Sequence, residues 1–337
     1  MPMVPVSVLM VAHNASRFLR PAVESILNQT WSDLELVLVD NASTDGSVAE
    51  LRLGCVDPRL KILSLDENRG PYGGATAGLP ICTGTYIARM DADDESCPQR
   101  LAVQVGALEA DPGIDVVSCF SSEIDAEGRV TGGQDTLCDP LEIERRAWQE
   151  MPIIHAALVA RRQVFERAPY RPEFFSGGDY DQILRALDSS TIAALPVRLY
   201  HRRYHAGCIS TGSRTLQAAS GCVARIAWAR RLQGEDERLG EELARASQIA
   251  ARCNSRAAVL AEYTLRCRDL GFVELSLVLA RQAYWQDPSA RGVARMIVSL
   301  ARATRHHPER LLGAVRATSR APLHALLEGL TTTSRPR

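Results

Sequence analysis

The chain has 337 residues, 46% apolar and 23% charged, with a net charge of −1, the make-up of a globular protein large enough for two domains. No apolar run approaches the roughly 20 residues of a membrane-spanning helix, and the opening apolar run at residues 6–11 is short and lacks the basic lead-in of a secretion signal, so a cytoplasmic location is expected. Nine scattered cysteines without a C-x-x-C pair argue against a disulfide framework or a zinc site and for reduced thiols.

Strand and helix signals then alternate. Residues 6–11 predict a strand, and residues 16–28 a helix with Phe18, Leu19, Val23, Ile26 and Leu27 at helical spacing. A second strand over 34–39 is continuously apolar, as in a sheet covered on both faces. A helix over 45–53, with Ser43 or Thr44 as its cap, leads to a third strand over 60–65. A short helix over 75–82 and a fourth strand over 86–90 follow. Residues 96–110 read as a helix opened by a Ser96-Cys97-Pro98-Gln99 capping box, and 115–120 as a fifth strand. This alternation predicts an α/β fold with a doubly wound, mostly parallel sheet flanked by helices.

Beyond residue 120, Glu127-Gly128 marks a hairpin turn and Gly132-Gly133 a loop. Residues 153–160 and 192–200 predict strands, the latter interrupted by Pro196, and 180–187 a helix. From 215 onward the pattern is mainly α-helical, with residues 274–286 and 289–303 as a candidate helical hairpin and 331–337 as a frayed tail. Charge follows this division: residues 1–213 carry 19 basic and 29 acidic side chains, and residues 214–337 carry 20 and 11. The domains expected are therefore 1–213, with halves at about 1–120 and 121–213, and a helical region over 214–330. The basic region suits either an anionic surface or simply solvated helix faces.

Chemistry-bearing residues gather where strands end. The strand over 86–90 runs into Asp91-Ala92-Asp93-Asp94, a set of hard oxygen ligands suited to Mg²⁺ or Mn²⁺ and hence to a phosphorylated ligand. Asp40 ends the second strand, where a carboxylate can accept from a base N–H or a ribose hydroxyl. His13 and Asn14 follow the first strand; the imidazole can stack on a base or merely be satisfied within its loop. Asn68-Arg69-Gly70 follows the third strand and offers a cation for a diphosphate. The glycines at 70, 73, 74 and 78 match neither a Walker loop nor a dinucleotide fingerprint.

Taken in order, Pro5-Val6-Ser7-Val8, His13-Asn14, Gln29-Thr30-Trp31-Ser32-Asp33 into Asp40, Asn68-Arg69-Gly70, Gly84-Thr85-Tyr86 into Asp91-Ala92-Asp93-Asp94, and Pro98-Gln99-Arg100-Leu101 resemble family 2 of the inverting GT-A glycosyltransferases. The resemblance covers about residues 4–210. It implies a nucleoside-diphosphate sugar donor, UDP-linked, and transfer to a saccharide, lipid-linked or other hydroxyl acceptor in surface polysaccharide or glycoconjugate assembly. It also implies Mn²⁺ or Mg²⁺ on a D-x-D motif, with Asp93 as direct ligand and Asp91 on ribose or metal. Asp40 falls on the base-recognising position, and His13, Asn14, Asn68 and Arg69 on donor contacts. Asp179 falls on the base that deprotonates the acceptor, with Asp181 as runner-up; the same stretch also fits a helix cap, Asp179-x-x-Gln182. His205 falls near the diphosphate or metal, or pins its loop, and His155 falls near the acceptor.

Three positions depart from the family pattern: His13 replaces a frequent tyrosine, Ala77 a frequent asparagine, and Gly178 a frequent glutamate. The rival expectations are a non-catalytic sugar-nucleotide or scaffold module and a nucleotidyltransferase, although the latter's glycine-rich first loop is missing. Nucleic acid is not an expected partner. Peripheral membrane contact at the inner face of the plasma membrane and a homodimer are alternative expectations for the C-terminal helices.

Overall fold

The computed structural model describes residues 5–208 and 214–287. Two compact units divide at Ser247/Gln248. The charge-based boundary at 213 thus falls inside the first unit, because the helix Arg214–Leu232 packs there against the helix Gly178–Ala186. The expected segments 289–303 and 331–337 lie outside the described residues.

The first unit is built on one mixed sheet of β1 (Val6–Ala12), β2 (Leu34–Asp40), β3 (Leu60–Ser64), β4 (Tyr86–Asp91), β5 (Glu95–Ser96), β6 (Val116–Ile124), β7 (Val130–Gln134), β8 (Val159–Arg161) and β9 (Ile192–Arg203), in the order 3-2-1-4-8-6-9-5 with β7 beside β6. Strands β3, β2, β1 and β4 are parallel, and β8 runs antiparallel to both β4 and β6. Successive side chains of a strand point to opposite faces, and here both faces are apolar. Val6, Val8, Met10, Leu36 and Leu38 enter one core; Leu9, Val37 and Val39 enter the other. The first core is closed by α1 (Leu19–Leu27), α2 (Ser47–Gly54) and α4 (Arg100–Ala110) through Val23, Ile26, Leu51, Leu101 and Val105. The second is closed by α3 (Gly70–Gly78), α6 (Arg162–Arg167) and α7 (Gly178–Ala186) through Ala75, Phe165 and Ile183. The helix α5 (Pro140–Ala147) completes this series and adds Ile143 to the second core.

Several expected elements are corrected by packing. The helix expected at 75–82 begins earlier, at Gly70, and a 3-10 turn, Leu79–Ile81, follows it. Glycine's poor helix propensity hides this start, but a Cβ at Gly78 would stand 2.6 Å from both Leu9 Cδ1 and Val39 Cγ2, and one at Gly74 2.7 Å from Val11 Cγ1. The missing side chains let the helix lie directly on the sheet. The Ser96 capping box does not form: Glu95–Ser96 is a short strand, the helix starts at Arg100, and the Ser96 hydroxyl accepts from Gln29 Nε2 at 3.2 Å. Ser43 and Thr44 do not cap α2, which follows Gly46; their N–H groups donate to Asp40 and Asn14 instead.

Gly132 and Gly133 lie in β7 rather than a loop, where a Cβ would meet Glu123 and Arg198 side chains. Residues 153–160 divide into a 3-10 turn, His155–Ala157, and the short β8. The turn at Glu127-Gly128 forms as expected, with Gly128 at φ +81°. Pro196 and Val197 bulge out of β9, since Leu195 pairs with Cys119 but Arg198 with Phe120.

Two further helices, α8 (Arg214–Leu232) and α9 (Leu239–Arg252), follow β9. In the second unit, α10 (Arg256–Asp269) packs on α11 (Val273–Gln286). Ser255 caps α10, Gly271 at φ +81° makes the turn, and Ser276 Oγ–H donates to the Thr264 carbonyl at 2.8 Å. The helix expected at 274–286 thus forms and packs on the helix that precedes it.

Candidate functional site

Register assembles the site. Ala12 lies opposite Asp40, Val11 opposite Asp91, and Asp40 opposite Ser64, so the parallel strands end at one level and their following loops share one edge. His13 is exposed, with Nδ1 2.9 Å from the Asn41 carbonyl, and Asn14 Oδ1 accepts from Thr44 N–H at 2.8 Å. Asp40 Oδ1 accepts from Ser43 N–H at 2.9 Å. With Ser43, Gly46, Val48, Ala49, Arg52 and Ser64 it lines an open cleft of about 420 Å³.

Asn41 is the residue that the sequence reading missed here. It is 2% exposed; its Nδ2 donates to Asn68 Oδ1 and the Gly70 carbonyl, both at 3.0 Å, and its Oδ1 accepts from Arg69 N–H at 2.9 Å. It thereby fixes the Asn68-Arg69-Gly70 turn to the end of β2, leaving the Arg69 guanidinium half exposed beside Glu67. An asparagine after an acidic strand end carries no sequence signal distinguishing this role from an ordinary turn.

The acidic cluster separates into three roles. Asp91 is half exposed and faces the buried Arg89, whose Nη2 stands 3.3 Å from Asp91 Oδ1. The sequence reading missed Arg89, although a charge inside an otherwise apolar strand is a signal that marks it. Asp93 Oδ2 lies 3.0 Å from His205 Nε2. Asp94 is buried and accepts from Tyr200 Oη–H and Arg203 N–H, both at 2.7 Å; burial and the neighbouring Asp93 and Asp91 carboxylates push its pKa well above the usual range. Asp94 is thus the clasp between the acidic loop and β9. The Arg203 side chain reinforces that clasp by donating to the Asp93 carbonyl at 2.9 Å and pairing with Glu95. Phe18 sits against the His205 ring, with centroids 4.5 Å apart.

Asp93, His205 and Cys208 present ligand atoms within 4.8 Å of one another. Two ligands about 2.1 Å from an octahedral ion stand about 3 Å apart, so the Asp93–His205 separation fits a divalent cation. Asp91 is outside this group and Cys208, not expected as a ligand from the sequence, is inside it.

Asp179 lies in the first turn of α7, after Gly177 at φ +73°, so it is not the cap. Its Oδ1 accepts from Tyr72 Oη–H at 3.0 Å and from Tyr180 N–H at 2.9 Å. Tyr72 was also missed; burial first, then the Asp179 and Asp91 carboxylates, hold its phenol protonated. Asp181 is 1% exposed and paired with Arg185 at 2.8 Å and Arg171 at 3.3 Å. Its burial in this pairing removes it as a rival base. His155 is 8% exposed and its Nε2 lies 3.1 Å from Tyr170 Oη. Burial, then the Arg89 charge, lowers its pKa to about 3. His155 is thus a buried imidazole packed against Tyr170.

Comparison with known proteins gives the geometry its context. Residues 7–168 match the family model described as "Glycosyl transferase family 2". The chain is 41% identical over 106 residues to the putative glycosyltransferase EpsE of Bacillus subtilis, covering 31% of this chain and 38% of that protein. It is 38% identical over 119 residues to the succinoglycan biosynthesis protein ExoO of Rhizobium meliloti, covering 34% of each. The match thus spans well under half of these relatives' length. Among solved structures, S. aureus TarS 1-349 in complex with UDP-GlcNAc superposes with a TM-score of 0.58 at 15% identity, over 90% of this chain and 92% of that one. The mannosyltransferase PcManGT from Pyrobaculum calidifontis, in complex with GDP-Man and Mn2+, gives 0.53 at 20% identity, over 90% and 88%. Among the described residues, no helix is long and apolar enough to cross a membrane.

Proposed function

We propose that this chain, whose residues 7–168 match the family 2 glycosyltransferase model, is a metal-dependent, inverting transferase that moves a sugar from a nucleoside-diphosphate sugar to a hydroxyl acceptor. The observation that carries this reading is the Asp93–His205 pair beside Asp91, at the strand-end edge that also bears Asp40 and Arg69. Asp40 and the exposed His13 ring receive the base, while Arg69 approaches the diphosphate. Asp93 and His205 would hold the divalent cation, with Cys208 beside them. When bound, that cation supplies positive charge to the departing diphosphate.

Asp179 takes the proton of the acceptor hydroxyl as its oxygen bonds to the anomeric carbon. The bond from that carbon to the diphosphate oxygen breaks, the nucleoside diphosphate leaves with the electron pair, and the configuration inverts. The name of the Rhizobium protein supports a saccharide acceptor, and the UDP-GlcNAc bound to the S. aureus protein supports a UDP-linked donor. The setting proposed is surface polysaccharide assembly at the cytoplasmic face of the membrane, with the basic C-terminal region touching anionic lipid.

The test is purified protein with Mn²⁺ and a panel of UDP- and GDP-sugars, followed by thermal shift and by release of nucleoside diphosphate. A raised melting temperature with one donor, and release that depends on metal and on a saccharide acceptor, are expected. No donor binding and no release across the panel would refute the proposal. Flotation with anionic vesicles tests the lipid contact separately.

A further inference from the structure

We propose that Tyr72 is the positioning residue for the Asp179 carboxylate, and that Gly178 makes its position possible. This rests on the reading of Asp179 as the acceptor's base. Both donors to Asp179, Tyr72 Oη–H at 3.0 Å and Tyr180 N–H at 2.9 Å, converge on Oδ1. They fix the rotation of the carboxylate and direct Oδ2 to receive the acceptor's proton. The backbone donor comes from α7 itself, but the phenol comes from α3, the helix that starts at the Asn68-Arg69-Gly70 turn. Tyr72 therefore ties the base to the donor-binding edge of the sheet.

The ring reaches Asp179 by lying over Gly178. A Cβ there would stand 2.7 Å from Tyr72 Cδ2 and 2.9 Å from Tyr72 Cγ and from Phe174 Cβ, so any side chain displaces the phenol. The Tyr170 ring, its centroid 6.0 Å away, flanks it as well. Gly178 is thus explained by contact: it is the space that the tyrosine occupies. Removing the hydroxyl leaves the carboxylate held by the Tyr180 N–H alone and less firmly oriented, which impairs the chemical step more than binding of either substrate.

The test uses the full chain with Mn²⁺, UDP-GlcNAc and GDP-mannose as donors, and p-nitrophenyl glycosides as acceptors. In Tyr72→Phe, kcat is expected to fall about tenfold or more, the scale of one hydrogen bond to a charged group, with KM for acceptor and donor within about twofold. Gly178→Ala is expected to give the same split, and the double variant to be no worse than Tyr72→Phe, because both changes remove one contact. Wild-type kcat in Tyr72→Phe, or losses that multiply in the double variant, would overturn the inference. Asp179→Asn separates the two levels: if it turns over like wild type, the base assignment and this inference both fail. If it is inactive while Tyr72→Phe is unimpaired, only the inference fails.

Discussion

Replacing Asn41 tests how the donor edge is held. In Asn41→Ala the Gly70 carbonyl and the Arg69 N–H lose their partner, and Asn68 Oδ1 keeps only Gly70 N–H, which donates to it at 2.9 Å. A buried hydrogen bond contributes about 1 kcal/mol net, and a stranded buried group costs about 1–3 kcal/mol. Water can reach part of the turn, so the expected loss is about 3 kcal/mol, or roughly 6–12 °C in melting temperature at 2–4 °C per kcal/mol. Asn41→Asp gives a sharper result. The Gly70 carbonyl can only accept and the Arg69 N–H can only donate, which fixes the amide's orientation. A carboxylate keeps the Arg69 contact but places a charged acceptor against two other acceptors. Asn41→Asp should therefore be no more stable than Asn41→Ala near neutral pH, despite its matching shape. Thermal unfolding and donor titration would follow both variants, with donor affinity falling alongside stability because Arg69 is released. A melting temperature within 2 °C of wild type for Asn41→Asp would refute this reasoning.

Asp93→Ala and His205→Ala should each abolish tight Mn²⁺ binding in isothermal titration while leaving the fold intact, whereas Asp91→Ala should reduce donor affinity more than metal affinity; equal loss of metal in all three would contradict the division of roles. Glu35 is partly buried, which opposes ionisation, yet Lys61, the Ser7 hydroxyl and the Thr83 N–H and hydroxyl lower its pKa from 4.5 to about 2. Its folded pKa lies below its unfolded value, so its contribution is full above about pH 4.5 and is lost as pH falls toward 2. Discounted for solvent screening, that contribution is about 1–2 kcal/mol. Glu35→Gln should flatten stability against pH over this window, and an unchanged slope would count against it. Gly78→Ala should destabilise by about 1–3 kcal/mol through overpacking against Leu9 and Val39; a neutral effect in chemical denaturation would show that the helix–sheet contact is looser than it stands here.

The sequence by itself determined the alternating strands and helices, because continuous apolar runs such as Leu34–Asp40 need cover on both faces. It also determined where chemistry gathers, because polar residues that end buried strands fall together at one edge of a parallel sheet. Asp40, Asp91 and Asp93 stood out on those terms and Arg69 as the cation of a strand-end loop, whereas Asp179 and His205 were picked out only by the resemblance to family 2.

Only the folded structure separates the members of that set by their surroundings. Asp93 and Asp94 are adjacent and chemically identical, yet one faces His205 and the other clasps Tyr200 and Arg203. Asp179 and Asp181 differ in the same way, one held by a phenol and the other buried between two arginines. The glycine-rich helix at Gly70–Gly78 and the Tyr72–Gly178 contact were hidden for a related reason. Local propensity registers the cost of a glycine in a helix, but not the sequence-distant neighbour that needs its space, Leu9 and Val39 at Gly78 or Tyr72 at Gly178.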